Sequence, residues 1–196
     1  MSKKLNLPNT LSLIRVVLVP FFMAAALLLK DIHIWGAIVP ALIFGLASFT
    51  DCLDGKIARK YNLVTDFGKF IDPLADKFMV FGALITILTI DTAIAPVFVW
   101  VAAVVMLREL AITSLRLVVA GKSGTVIAAS FFGKLKTVSQ IAAILLILLE
   151  PLLASYVSFF ECRLISYIAM GIMAITTVAS GIDYLKAYMP LVDTNK

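Results

Sequence analysis

Five aspartates lie within residues 51–77 of a chain that is basic overall. Asp51 and Asp54 are three residues apart, and Asp72 and Asp76 are four residues apart. Either spacing places both carboxylates on one face of a helix. If these two faces meet, the four carboxylates need added protons or a cation to neutralise them. Oxygen ligands select hard divalent cations such as Mg²⁺, Mn²⁺ or Ca²⁺, so the pattern predicts a divalent-metal site.

The other metal-ligating residue types do not favour a zinc site, which would need cysteine and histidine ligands close to one another. His33 is the only histidine, and the charge pattern described below places it at the other end of the molecule. Cys52 and Cys162 are too few for a disulfide framework. We expect these two cysteines near opposite membrane faces, where they cannot pair with each other.

An alternative interpretation is that the aspartates are helix caps and solvated interfacial charges. It stays open for Asp66, which follows Thr65, because both residue types are good N-caps. Pro73 either kinks the third helix or starts a new helical segment capped by Asp72. For the spaced pairs a metal site is favoured, because like charges at these spacings destabilise a helix and ionisable groups at membrane depth usually mark function.

The elements that must position the aspartates are membrane helices. The 196 residues are 62% hydrophobic, with a mean hydropathy of +1.05, far above the apolar share of ordinary soluble domains. We therefore predict an all-α, polytopic membrane protein with six transmembrane helices, forming a single domain over residues 1–196. A spanning helix needs about 20 mostly apolar residues, and the predicted spans are roughly 11–29, 33–58, 69–90, 93–119, 132–153 and 161–185.

The charge distribution predicts the orientation. All of the 17 lysines and arginines except Lys30 and Arg163 lie towards one side of the six predicted spans. The positive-inside rule then places both termini and the aspartates in the cytoplasm. Lysines without a small-residue cleavage signature precede the first apolar run, which we interpret as a membrane helix rather than a signal peptide. We expect a multi-pass protein of the cell membrane, with no nucleic-acid partner.

Small residues and an arginine accompany the aspartates. Gly55 and Ala58 follow Asp51 at helical spacing, and Gly68 lies one turn before the second aspartate pair. A bulky ligand could approach the backbone at these positions, although close helix packing explains such residues equally well. Arg59 could hold a phosphate bidentately or extend to the membrane interface.

The aspartates and small residues form one pattern, which reads Asp51-x2-Asp54-Gly55-x2-Ala58-Arg59-x8-Gly68-x3-Asp72-x3-Asp76. Every specified position matches the signature of the CDP-alcohol phosphotransferases, and the chain resembles this family along nearly its whole length. Within the family it is most similar to the bacterial branch that forms phosphatidylglycerophosphate. That similarity is carried by LPNTLSLIR at 7–15, RELAITSLR at 108–116 and GKLKTVSQ at 133–140.

The resemblance implies a reaction in which CDP-diacylglycerol and sn-glycerol 3-phosphate give phosphatidylglycerophosphate and CMP. It also implies two Mg²⁺ or Mn²⁺ ions, which can stabilise the attacking and leaving oxygens of an in-line displacement. The implied metal ligands are Asp51, Asp54, Asp72 and Asp76, and Asp76 would also take the proton of the attacking hydroxyl. The implied CDP contacts are Gly55, Ala58, Arg59, Thr65 and Gly68, with Asn9, Ser12 and Arg15 on the first helix.

An acceptor that carries a phosphate requires a second anion site. Four cations lie on the same side as the aspartates, and we predict that they bind this phosphate: Arg116, Lys134, Lys136 and Arg108. Arg108 is flanked by apolar residues, where an unneeded cation would be costly. Orientation signals and contact with lipid headgroups are the alternative explanation for these cations. The resemblance further implies a homodimer surrounded by membrane lipids.

Three alternatives stay open from the sequence. The same fold could use inositol phosphate, serine or phosphatidylglycerol as the acceptor, and the cations favour a phosphorylated acceptor without excluding inositol phosphate. A divalent-cation transporter would favour acids at midmembrane depth or paired broken helices. Here the acids cluster at one edge, and we expect no polar trail through the other half. A non-catalytic scaffold would leave the four spaced aspartates unexplained.

Overall fold

The structure, a computed structural model, describes residues 7–32, 34–60, 65–123 and 131–189. His33 and several side-chain positions within these ranges are outside the description, among them Cys52, Asp54, Gly55, Ala58 and Arg59. The described chain forms six α-helices and one short 3-10 helix. They are α1 (Leu7–Leu29), α2 (Trp35–Lys60), α3 (Asp66–Ile90), α4 (Ala95–Ser123), α5 (Phe131–Ala154), the 3-10 helix (Ser158–Cys162) and α6 (Leu164–Tyr188).

The predicted all-α fold is confirmed for the described residues, which contain no strand. Each of the six predicted segments corresponds to one helix. Five helices are long and apolar enough to cross a membrane, which makes the chain a multi-pass membrane protein. In α2 the apolar stretch within the described side chains, Trp35–Asp51, is shorter than these five. The five spans are Asn9–Leu29, Phe70–Ile90, Ala95–Val119, Phe131–Ala154 and Leu164–Tyr188.

The helices pack around an apolar interior. Helix α1 lies against α2 and α3, α5 lies against α2 and α6, and α4 lies against α3 and α6. Phe44, Leu84 and Phe98 are among the large side chains buried between them. The outward faces are also apolar, and Trp100 and Ile175 are at least 70% exposed. Such faces suit acyl chains rather than water, so close packing and interhelical hydrogen bonds must hold the bundle together in lipid.

The start of α3 decides two questions that the sequence leaves open. Thr65 is the N-cap, because its hydroxyl accepts a hydrogen bond from the backbone N–H of Gly68 at 3.0 Å. The interpretation of Asp66 as the cap is therefore wrong. Helix α3 continues through Pro73, so the alternative in which Asp72 caps a second helical segment is also wrong. The second aspartate pair lies on one continuous helix.

The half of the bundle away from the aspartates contains two buried acids among its described residues, each near the end of a helix. Glu150 of α5 is fully buried, and its carboxylate accepts hydrogen bonds from the backbone N–H groups of Ile165 at 2.9 Å and Ser166 at 2.8 Å. It thereby caps the N-terminus of α6. Asp91, at the end of α3, pairs with Arg163 at 2.5 Å. Both acids hold helix ends in place.

Candidate active site

Two of the predicted metal ligands face a common cavity. Asp51 on α2 and Asp76 on α3 both line it. Asp72, one turn before Asp76, is exposed and accepts a hydrogen bond from the hydroxyl of Ser12 at 2.5 Å. Asp54 follows Asp51 by about one turn of α2, and its side chain is outside the described part. The structure therefore brings Asp51 and Asp76 together and places Asp72 where α1 contacts α3.

Helix α1 supplies polar partners to both aspartate-bearing helices. Arg15 is fully buried and donates from Nη1 to Oδ1 of Asp51 at 2.5 Å. Ser12, which is also fully buried, donates to Asp72. A buried arginine is stable only when it is paired and hydrogen-bonded, so the Asp51 carboxylate holds α1 in register with α2. Two residues predicted to contact CDP thus lie in direct contact with the aspartates.

A second polar contact joins the start of α1 to the start of α3. Nδ2 of Asn9 donates to Oγ1 of Thr65 at 2.9 Å. Gly68 lies beside this contact, because a Cβ there would come within 2.8 Å of Asn9 Oδ1 and 3.2 Å of Thr65 Oγ1. Glycine permits this approach without displacing either side chain. The remaining predicted CDP contacts lie outside the described side-chain positions: Gly55, Ala58 and Arg59.

The cavity that Asp51 and Asp76 line has a volume of about 620 Å³, within the range of small-molecule sites. It lies at the end of the bundle where α2 finishes and α3 begins, with α4, α5 and α6 completing its walls. All four cations predicted to bind the acceptor phosphate line it: Arg108, Arg116, Lys134 and Lys136. Carboxylates from α2 and α3 and cations from α4 and α5 thus share one cavity, which can hold phosphate groups beside a metal ion.

Glu109 organises two of these cations. Its carboxylate forms an ion pair with Lys136 and accepts a hydrogen bond from Nη1 of Arg108 at 3.0 Å. Nη2 of Arg108 donates to Oγ of Ser180 on α6 at 2.6 Å. Lys136 is only 5% exposed, and a cation this buried needs such a partner. Glu109 is not among the site residues predicted from the sequence, although an acid inside a membrane span is itself a signal of function.

Tyr184 of α6 organises the two arginines. Nη2 of Arg116 donates to the Tyr184 hydroxyl at 2.5 Å. The ring centroid lies 4.7 Å from Cζ of Arg116 and 5.4 Å from Cζ of Arg108, so the ring contacts both guanidiniums through cation–π interactions. Tyr188 stacks against Tyr184 with centroids 5.9 Å apart. Tyr184 also lines the cavity, and nothing in its local sequence pattern indicated this contact with α4.

The donor set fits a hard divalent cation in its chemistry. Asp51 and Asp76 present carboxylate oxygens to one cavity, as Mg²⁺ and Mn²⁺ prefer. Among the described side chains, no group of three or more Asp, Glu, His or Cys residues is gathered closely enough to form a metal centre. Asp54, the fourth predicted ligand, is outside that description. Two metal ions therefore stay a prediction from the sequence.

Known proteins resemble this chain along most of its length. The model of a family described as CDP-alcohol phosphatidyltransferase matches residues 5–180. A CDP-diacylglycerol–glycerol-3-phosphate 3-phosphatidyltransferase from Bacillus subtilis is 44% identical over 191 residues, which cover 91% of this chain and 93% of that protein. A protein of the same name from Yersinia enterocolitica is 37% identical over 190 residues, covering 94% and 95% of the two chains.

Proposed function

The chain belongs to the CDP-alcohol phosphatidyltransferase family, and on that basis we propose that it transfers the phosphatidyl group of CDP-diacylglycerol to sn-glycerol 3-phosphate. The products are phosphatidylglycerophosphate and CMP. Relatives named for this reaction match the chain over more than nine-tenths of its length. The structural observation that carries the proposal is the cavity that holds Asp51 and Asp76 together with four cations.

Asp76 is the proposed general base. Its carboxylate takes the proton of the acceptor hydroxyl, and the hydroxyl oxygen forms a bond to the phosphorus that carries diacylglycerol. The bond between that phosphorus and the CMP oxygen breaks, and CMP leaves with the electron pair. A carboxylate can act in this way when it is within reach of the hydroxyl. Mg²⁺ or Mn²⁺, with two ions expected on Asp51, Asp54, Asp72 and Asp76, would neutralise the charge on the attacking and leaving oxygens when bound.

The acceptor phosphate is assigned to the cations of α4 and α5. Arg116 and Lys134 are exposed side chains that line the cavity, so both can reach a phosphate that enters it. Arg108 and Lys136 are held by Glu109, which fixes their positions before the substrate arrives. Preorganised donors bind an anion with less loss of side-chain freedom. This charge favours a phosphorylated acceptor over serine, which carries no phosphate.

The nucleotide is assigned to the junction of α1, α2 and α3. Asn9 and Thr65 bond each other there, and Ser12 and Arg15 bond the aspartates. Gly68 lets Asn9 and Thr65 approach the backbone closely at the same place. By the family pattern, CDP would also contact Gly55, Ala58 and Arg59 on α2. The acyl chains of the donor would leave sideways into the bilayer, which requires an opening towards lipid.

The decisive experiment measures CMP release from purified protein in detergent. The protein is given Mg²⁺ or Mn²⁺, CDP-diacylglycerol and one alcohol at a time: glycerol 3-phosphate, inositol phosphate, serine or phosphatidylglycerol. Release with glycerol 3-phosphate alone is the expected result. CMP release with a different alcohol alone would support phosphatidyl transfer but identify that alcohol as the acceptor. No CMP release from folded protein with any alcohol would refute the proposal.

The proposed arrangement in the cell has six membrane crossings, both termini and the cavity in the cytoplasm, and a homodimer in the cell membrane. The asymmetry of lysines and arginines supports this orientation. Cys162 is exposed in the connection before α6, so labelling of its thiol tests which side of the membrane this connection faces. The sample is a Cys52→Ser variant in cells that have lost their outer layers but keep an intact cell membrane. A membrane-impermeant maleimide added to these cells should label Cys162. Labelling of Cys162 only after lysis would indicate the opposite orientation in the membrane.

A further inference from the structure

A second, smaller cavity lies at the end of the bundle opposite the aspartates. Its volume is about 130 Å³, and it is lined by Lys30, Asp91 and Arg163 together with mainly apolar residues from α2, α3 and α5. Lys30 and Arg163 are the two cations that depart from the charge asymmetry of the rest of the chain. They are 133 residues apart in sequence by their numbering, yet they line one cavity. The positive-inside rule does not explain these two cations, and their shared cavity indicates that they have another role.

Arg163 has an unused donor at this cavity. Its Nη2 donates to Oδ2 of Asp91 at 2.5 Å, whereas its Nη1 is buried and finds no hydrogen-bond partner among the described residues. A buried donor without a partner is costly. The residue also holds a left-handed backbone conformation, with φ of 56°, which is unusual for a residue other than glycine. The fold therefore keeps an arginine in a position where its backbone is strained and its side chain is only partly satisfied.

Capping of α6 does not account for this arginine, although its pair with Asp91 links the end of α3 to the start of α6. The first turn of α6 is already held by Glu150, which accepts hydrogen bonds from the N–H groups of Ile165 and Ser166 and from the Ser166 hydroxyl. The pairing with Asp91 uses one side of the guanidinium and neutralises one charge. Lys30 is exposed at the end of α1, so it adds a second positive charge beside a cavity whose single carboxylate is already paired.

We infer that this cavity binds the phosphate of an anionic phospholipid at the membrane face opposite the reaction cavity. A phosphate oxygen would accept a hydrogen bond from Nη1 of Arg163 once the guanidinium turns this buried atom towards the cavity, and Lys30 would supply the second positive charge. The apolar walls, which include Ile90 and Pro151, suit the glycerol carbons and the first part of the acyl chains. The volume of about 130 Å³ admits the phosphate group, so most of the glycerol and the acyl chains would lie at the mouth of the cavity and outside it. The site shares no described lining residue with the reaction cavity, so it is not a substrate site for the proposed reaction.

The test counts bound lipid by native mass spectrometry of the purified full-length protein in a neutral detergent. Phosphatidylglycerol and phosphatidylcholine are titrated separately, because the former carries a net negative charge and the latter does not. The variant is Lys30→Gln, and Lys186→Gln is the control, since Lys186 is likewise exposed but lies in the last turn of α6. CMP release and the thermal unfolding midpoint verify that both proteins are folded.

Lys30→Gln should weaken the apparent affinity for phosphatidylglycerol by about fivefold, the effect of one lysine beside a lipid phosphate. Lys186→Gln should leave it unchanged. Asp91→Asn should strengthen binding, because it removes the negative charge that pairs with Arg163. A purely structural pair predicts no gain from that substitution. If Asp91→Asn does not fold, the comparison of the two lysines still decides.

A competition with inorganic phosphate tests whether the cavity binds the phosphate of a lipid or free phosphate. No displacement of phosphatidylglycerol by roughly 10 mM phosphate supports the lipid, because a lipid held at the membrane has a high local concentration. Displacement that depends on Lys30 would support the anion site and assign it to free phosphate. Equal affinities of Lys30→Gln, Lys186→Gln and the parent protein would overturn the inference, as would equal binding of phosphatidylcholine.

Discussion

Replacing Tyr184 by phenylalanine should raise the KM for glycerol 3-phosphate. The substitution removes the hydroxyl that accepts a hydrogen bond from Arg116 at 2.5 Å and keeps the ring that contacts Arg116 and Arg108. A hydrogen bond to a charged group contributes about 1.5–3 kcal/mol. Arg116 is exposed, so water replaces part of this bond and about 1 kcal/mol is a realistic loss. That energy corresponds to about fivefold in KM.

The assay is CMP release at saturating CDP-diacylglycerol with varied glycerol 3-phosphate, followed by the reverse titration. The KM for glycerol 3-phosphate should rise while that for CDP-diacylglycerol stays unchanged, because Tyr184 lies on the α4–α6 side of the cavity. Tyr188→Phe is the matched control. Tyr188 is also buried and stacks on Tyr184, so its variant tests the loss of a nearby phenol without touching an arginine bond.

Two results would refute this reasoning. One is an equal change in KM for Tyr184→Phe and Tyr188→Phe, which would mean that general packing and not Arg116 is responsible. The other is additivity with Arg116→Ala. If Tyr184 acts by orienting Arg116, then Tyr184→Phe should have little further effect once Arg116 is alanine, and the double-mutant cycle should give a coupling energy near the single effect. A coupling energy near zero would show that Tyr184 does not act through Arg116.

Three further predictions address the other parts of the structure. Gly68→Ala should raise the KM for CDP-diacylglycerol by about tenfold, because its Cβ would meet Asn9 Oδ1 at 2.8 Å and displace this side chain from its contact with Thr65. Gly171→Ala has no atom within 4 Å of the new Cβ and should leave kinetics unchanged; equal effects would contradict the reading of the junction. Asp76→Asn should abolish turnover, on the order of 10²–10⁴-fold for a general base, and weaken Mn²⁺ binding less, as titrated by paramagnetic broadening; retained turnover would exclude Asp76 as the base. Glu150→Gln should lower the free energy of unfolding by about 2 kcal/mol through the weakened cap of α6 without changing either KM, and an unchanged unfolding curve would show that this cap is dispensable.

Much of the fold follows from local sequence. Hydrophobic runs of spanning length predicted each of the six helices, because a chain in lipid must satisfy its backbone hydrogen bonds within each segment. The spacing of Asp72 and Asp76 placed them on one helical face, and the continuous α3 preserves that face. Helix ends were less accurate. Capping at Thr65 depends on a bond to the Gly68 N–H, and Asp66 was an equally suitable cap by residue type.

The partners inside the site could not be read from the sequence, because they depend on which helix faces which. Arg15 reaches Asp51 across 36 residues, Arg116 reaches Tyr184 across 68, and Arg163 reaches Asp91 across 72. Sequence periodicity shows which residues share a face of one helix. It does not show how a neighbouring helix is rotated about its axis or shifted along the membrane normal. The sequence by itself determined that acids and cations lie at one end of a membrane bundle. Only tertiary packing decided that Glu109 of α4 holds Lys136 of α5 and that Tyr184 of α6 holds Arg116 of α4, because these contacts exist only after the helices assemble.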